Sequence, residues 1–174
     1  MNKWFIADTH FSHFNIIRYT RRPFTDVEEM NQALIKNWNS LINDEDLVFF
    51  LGDFGLGSIE HLQEIFQQLK GQKVCIRGNH DGTPSKLYKV GFSVVLESAF
   101  IKLGCHEIEL IHHPSPEPPP HFQCHGHIHE KRPNKIINNQ LNLCVEVWNY
   151  QPVSEKELIS LFDKAKNNKN SSPS

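Results

Sequence analysis

Five short clusters of carboxylate, amide and imidazole punctuate this chain: Asp8-Thr9-His10, Gly52-Asp53, Gly78-Asn79-His80-Asp81, His112-His113 and Gly126-His127-Ile128-His129. Asp8 and His10 stand two apart, as do His127 and His129, which puts both members of each pair on one side of an extended chain. With Asp53, Asn79 and His112 they make seven oxygen or nitrogen donors. One cation uses three or four, so the count favours two cations sharing a bridging carboxylate. Mixed imidazole and carboxylate donors suit manganese, iron, zinc or nickel better than a calcium cage.

Every cluster follows a short apolar run. Trp4-Phe5-Ile6-Ala7, Leu47-Val48-Phe49-Phe50-Leu51, Val74-Cys75-Ile76, Ile108-Glu109-Leu110-Ile111 and a stretch through Phe122 and Cys124 read as five strands. Ligands in α/β proteins gather at the carboxyl ends of strands. Five strands ending this way point to one site.

Between the strands lie helices with clear signals. Thr25 or Asp26 caps a first helix with Glu28 or Glu29 as its capping box, and Val27, Met30, Leu34, Trp38 and Leu41 bury one face. Asn43 to Asp46 then reads as a solvated turn. Ser58 caps a second helix that Gly71 stops, and Thr83-Pro84 opens a short third one closed by Gly91. Two strands flanking Gly104-Cys105 suggest a hairpin. Pro114 to Pro120 holds five prolines in seven residues and reads as a stiff rim. A further strand is expected around Leu141 to Val147, and Ser154 with Glu157 caps the last helix. Residues 1–166 read as one domain, with a disordered tail at 167–174.

The segment Phe11 to Arg22 is a loop or short helix directly after the first donor pair. Arg18, Arg21 and Arg22 there are candidates to meet a substrate anion, which arginine grips in a bidentate fork. Ordinary surface arginines are the competing reading.

At 174 residues the chain suffices for one well-cored domain. A formal charge of −2 gives no reason to expect non-specific binding to nucleic acid or membranes. Seven of the 11 histidines lie between His106 and His129. The four cysteines show no Cys-x-x-Cys spacing, and three sit in apolar runs as small hydrophobes. No apolar stretch approaches the ~20 residues of a membrane span, and a cytoplasmic protein is expected.

The ordered set Asp8-x-His10, Gly52-Asp53, Gly78-Asn79-His80-Asp81, His112-x-Pro114 and Gly126-His127-x-His129 resembles the calcineurin-like metallophosphoesterases. Asn149-Tyr150-x-Pro152-Val153-Ser154 looks like the segment leading into the final helix of small bacterial members. The resemblance implies a four-layer α-β-β-α sandwich with two mixed β-sheets and two divalent metal ions, manganese first among them. One ion would take Asp8, His10, Asp53 and His129; the other Asp53, Asn79, His112 and His127. His80 would lie beside the metals, steadying the transition state or protonating the leaving oxygen, with Asp81 a candidate to orient its ring. The implied reaction is attack on phosphorus by a metal-bridging hydroxide.

One departure narrows the activity. The protein Ser/Thr phosphatase branch extends its second motif to Gly-Asp-x-x-Asp-Arg-Gly, whereas this chain reads Gly52-Asp53-Phe54-Gly55-Leu56-Gly57. A protein phosphatase is therefore not expected; an open site without a substantial cap is. Because such a site accepts both ester arms, the expectation is a small phosphoester, leaning to a phosphodiester or nucleotide, with a phosphomonoester as the alternative. A nuclease on polymer ends fits poorly with the acidic balance, and a metal-free interaction scaffold fits poorly with seven intact donors.

Overall fold

The computed structural model describes residues 1–170. In chain order the elements are β1 (Lys3–Ile6), α1 (Phe14–Tyr19), α2 (Val27–Leu41), β2 (Leu47–Phe50), α3 (Ile59–Gln68), β3 (Gln72–Ile76), α4 (Pro84–Val90), β4 (Val94–Leu96), β5 (Ser98–Leu103), β6 (His106–Ile111), β7 (Phe122–His125), β8 (Gln140–Asn142), β9 (Val153–Ser154) and α5 (Glu155–Asn170). One sheet runs β4-β3-β2-β1-β9, parallel except for β9. The other runs β5-β6-β7-β8, in which β5 and β6 form the antiparallel hairpin and β6, β7 and β8 are parallel. The expected class, α/β with two mixed sheets, is the observed one.

Strand alternation divides the interior into two cores. Ile6, Val48, Phe50 and Cys75 face one way, onto Met30, Leu34, Trp38, Leu62 and Leu87 of the helices. Their neighbours Phe5, Phe49, Leu51 and Ile76 face the opposite way and meet Leu103, Ile108, Leu110, Cys124 and Leu141 of the second sheet. A period of two thus lets one set of strands serve both layers. The helices start where their caps stand: Asp26, Ser58 and Thr83 accept from the amides of Glu29, His61 and Lys86. α5 packs on β1 and β9, and its Phe162 stacks on Phe122 at 4.6 Å. The proline segment covers the polar outer face of the second sheet, where Gln140 Nε2 donates to the Ser115 carbonyl at 2.7 Å.

The two sheets are joined at the end of β1. Ala7 donates to the Leu143 carbonyl at 3.1 Å and accepts from the Val145 amide at 3.2 Å. That junction delivers Asp8 to the seam between the sheets.

Three expectations change. Asp46 is not solvated; it is 2% exposed and its carboxylate accepts from the Asn2 amide at 2.7 Å and from Trp4 Nε1 and the Asn43 amide at 3.1 Å. The strand expected over 141–147 stops at Asn142, and Val145–Val147 is a 3-10 turn. There Asn142 Oδ1 accepts from the Cys144 amide at 3.0 Å, turning the chain away from the ladder. Finally, α5 continues through Asn170, into the stretch expected to be disordered. Once a capped turn is docked, each further residue adds a hydrogen bond at little cost. Residues 171–174 of that stretch lie outside the described residues.

Candidate metal centre

Asp8, His10, Asp53, His127 and His129 all sit at positive φ, between 50° and 71°. For a residue with a Cβ this left-handed conformation costs roughly 1–2 kcal/mol, so five occurrences among seven expected donors need a compensating framework. Part of it is backbone: the Asp8 amide donates to the Gly52 carbonyl at 2.9 Å and the His10 amide to the Asp53 carbonyl at 3.0 Å. Part is the carboxylates themselves. Asp53 Oδ1 accepts from the His80 amide at 2.8 Å, and Asp8 Oδ2 from the His127 amide at 2.9 Å. The motif glycines leave the necessary room. A Cβ on Gly78 would collide with the Asp53 carboxylate, and one on Gly126 with Asp8 Oδ2.

The remaining donor atoms converge. His10 Nε2 lies 3.7 Å from Asp8 Oδ1 and 3.5 Å from Asp53 Oδ2. His129 Nε2 is 3.8 Å from Asp8 Oδ1, and His112 Nε2 is 3.4 Å from Asp53 Oδ2. Asn79 Oδ1 is 3.0 Å from both His112 Nε2 and His127 Nδ1. The structure therefore brings together all seven residues singled out as donors, with Asp53 between two groups. His113 joins them, its ring 3.9 Å from that of His127.

These residues fit divalent cations. Asp8 Oδ1 and His10 Nε2 are buried with no hydrogen-bond partner among the described residues, a costly arrangement for a folded protein alone. Donors held ~2.0–2.2 Å from an ion stand about 3.0–3.5 Å apart, close to the separations seen. The outer nitrogens of two rings are also engaged in the manner of metal ligands. His112 Nδ1 donates to the Leu51 carbonyl at 2.7 Å, and His129 Nδ1 to Glu146 Oε1 at 2.9 Å.

The electrostatics follow from the crowding. Burial works against the charged Asp53 carboxylate, but His112, the His80 amide and His10 outweigh it and bring its pKa to about 2. Burial likewise pulls His112 down, yet Asp53, Asp8 and the Leu51 carbonyl hold it at about 9. Glu146, opposed by its burial, is held at about 2 by His129 and Arg22. Burial, reinforced by the neighbouring His10 and His80, lowers His13 to about 4.

Two candidate roles are corrected here. Arg22 does not face a substrate. Its guanidinium is wholly buried and donates to the Asp8 and Thr9 carbonyls at 2.8 and 2.7 Å and to Glu146 at 2.7 Å. It reads the back of the first donor motif because its five donors can hold two carbonyls and a carboxylate together. Asp81 does not orient the His80 ring. It is 1% exposed, and its carboxylate accepts from the amides of Gly78 at 2.7 Å, Phe54 at 2.8 Å and Asp53 at 2.9 Å. It pins the second motif to the third.

Arg18 and Arg21 are exposed, and neither lines the cleft beside the centre. That cleft, of about 260 Å³, is bounded by His10, His13, His80 and His129 and by Ile16, Tyr19 and Lys131. Its cation is Lys131. A second hollow of about 340 Å³ opens on the opposite flank, against Arg77, Asn79 and His113. Sequence reasoning missed Glu146, a carboxylate alone in the apolar run Cys144-Val145-Glu146-Val147-Trp148, and that isolation was its available signal. Cys144, read as a hydrophobe, donates from Sγ to Asp8 Oδ2 at 3.2 Å. No helix among the described residues is long and apolar enough to cross a membrane.

Residues 1–116 match the calcineurin-like phosphoesterase family. An uncharacterized protein of Methanocaldococcus jannaschii is 40% identical over 173 residues, spanning 94% of this chain and 92% of that protein. Among solved structures, a protein of unknown function from Aquifex aeolicus is 26% identical with a TM-score of 0.75, covering 92% of this chain and 98% of that one. An archaeal phosphodiesterase, 16% identical with a TM-score of 0.50 over 83% of this chain and 82% of its own, shares the fold.

Proposed function

The chain belongs to the calcineurin-like phosphoesterase family and is a metal-dependent phosphoric ester hydrolase, and we propose that it cleaves a small phosphodiester of the nucleotide class at a centre for two divalent ions. The observation that carries this reading is the convergence of Asp8, His10 and His129 on one side of Asp53, and of Asn79, His112 and His127 on the other. Asp53 would bridge, and manganese is the first choice of ion, with iron, zinc or nickel compatible with the same donors. When bound, the ions would supply an activated water and neutralise charge on the phosphoryl oxygens.

The protein's own contribution is orientation and proton transfer. Glu146 and the Leu51 carbonyl fix the His129 and His112 rings, so each presents Nε2 to the centre. His80 is exposed at the mouth of the cleft, its ring centroid 5.4 Å from that of His10. Its amide is tied to Asp53, while its ring makes no hydrogen bond to the described residues. That leaves the imidazole available to protonate the departing ester oxygen, the task of a positioned general acid.

Two hollows flank the centre, and a diester has two arms. This favours a diester over a monoester, whose single arm would leave one hollow unused. Ile16 and Tyr19 offer one arm an apolar wall, as a nucleobase would require. The test is a manganese-supplemented screen of cyclic nucleotides, dinucleotides, nucleoside monophosphates and aryl phosphate mono- and diesters. Diesters are expected to have the higher kcat/KM. Faster turnover of the matched monoesters would assign the phosphomonoesterase alternative.

A further inference from the structure

The β5–β6 hairpin turn and α5 bring together a second set of donors, none of them among the seven at the centre, with His106 at the opposite end of β6 from His112. His106 is the first residue of β6, and its ring is packed between Phe122 and Phe162, with centroids 5.5 and 5.7 Å away. The side chain is 3% exposed, yet its Nε2 emerges from this aromatic box at the surface. There it meets Asp163 Oδ1 at 2.7 Å and Cys105 Sγ at 3.7 Å. Gly104 takes a φ of 58° at the turn, and a Cβ built there would come within 3.7 Å of Ile159, one helical turn before Asp163 on α5. The turn is thus seated on the same helix face that supplies the carboxylate.

We propose that Cys105, His106 and Asp163 form a separate cation site suited to zinc. Their donor atoms lie within 4.8 Å of one another. Around a tetrahedral zinc, with Zn–S ~2.3 Å and Zn–N ~2.0–2.1 Å, sulfur and nitrogen stand about 3.5 Å apart, and the observed 3.7 Å matches. The oxygen must withdraw from Nε2 by about half an ångström to take its own tetrahedral position. Asp163 can do so, being 54% exposed on a helix surface. Binding displaces the thiol proton and the proton held between His106 Nε2 and Asp163, so a thiolate and a carboxylate offset the dication and Lys166, which lines the same cleft. Thiolate with imidazole selects zinc over manganese, whereas the centre at Asp53 offers only harder donors. Three protein donors leave a fourth position open to water from the adjoining hollow of about 290 Å³. A bound ion would tie α5 to the hairpin.

Cobalt reports the thiolate directly. The full chain, stripped with a chelator and titrated with Co²⁺, is expected to show a sulfur-to-cobalt charge-transfer band in the near ultraviolet. Cys105→Ser should abolish it, because the centre at Asp53 lacks a sulfur ligand. Asp163→Asn should weaken zinc binding at this site by roughly tenfold or more. Both residues are exposed, so neither substitution opens the core. Manganese-supported hydrolysis of aryl phosphate esters should be unchanged in Cys105→Ser. Saturating cobalt without the band, or a band that survives Cys105→Ser, overturns the site. Loss of hydrolysis in Cys105→Ser would overturn its separateness from the centre.

Discussion

Arg22 and Glu146 meet at 2.7 Å beneath the centre, although 124 residues separate them in the chain. One carboxylate oxygen, Glu146 Oε1, accepts from both Arg22 and His129. The guanidinium reaches on to the carbonyls of Asp8 and Thr9. A single buried ion pair therefore holds the first donor motif and the last donor in register.

Arg22→Ala should destabilise the protein by about 3–5 kcal/mol, because it leaves Glu146 buried without its cation. Denaturant unfolding measures this. KM for the folded fraction should change little, since the arginine does not line the cleft. A mutant of normal stability with a raised KM would return Arg22 to the substrate.

Glu146 also sets a pH dependence. Its folded pKa of about 2 lies below the ordinary 4.5, so its contribution is full above pH 4.5 and is lost as pH falls towards 2. The shift corresponds to about 3 kcal/mol. Unfolding curves of chelator-stripped protein between those limits should steepen this loss for the unaltered chain and flatten it for Glu146→Gln. Identical slopes in the two proteins would remove the pair from the acid response.

The convergence of the candidate donors was legible because metal chemistry restricts residue types and strand ends restrict positions. Asp8, Asp53 and His129 could be read from local pattern alone. Arg22 could not be placed, because an arginine after a donor motif looks the same whether it points at substrate or into the protein. What decides is the partner, Glu146, and only the fold brings that residue near. Asp81 was misread for a related reason: adjacency to His80 suggested contact, while its carboxylate turns to the amides of Gly78, Asp53 and Phe54. The helices were legible through their caps, and the sheets through alternation. The join of the two sheets at Ala7 was not, since main-chain pairing across such distance leaves no mark on side-chain pattern.

Asp81→Ala should cost about 1–3 kcal/mol for the buried amides it leaves unpaired. Because two of those three amides belong to Asp53 and to Gly78, just before Asn79, metal content should fall as well. Asp81→Asn, which keeps an acceptor oxygen, should recover part of both. Full metal content in a stably folded Asp81→Ala would separate this carboxylate from the centre.

Asp53→Asn should reduce metal content at both proposed positions, whereas His129→Ala should impair one more than the other. Uptake should also strengthen as pH rises towards 9, because the ion competes with the proton that His112 holds up to about that pH. Metal analysis across pH tests both. Two full equivalents in Asp53→Asn would rule out its bridging role.

His80 and Asn79 are neighbours with opposite expected behaviour. The Asn79 oxygen faces His112 and His127, so its loss should weaken metal binding. The His80 ring faces the cleft and is bound to none of the described residues, so His80→Ala should keep its metals. If the imidazole protonates the departing oxygen, the substitution should slow esters of poor leaving groups by roughly 10²–10⁴-fold. Aryl esters with acidic leaving groups need little protonation and should lose far less. The His80 amide, which holds Asp53, survives in alanine, so the comparison isolates the ring. Equal rate losses for good and poor leaving groups would replace proton donation with electrostatic stabilisation, and lost metal would make His80 a ligand.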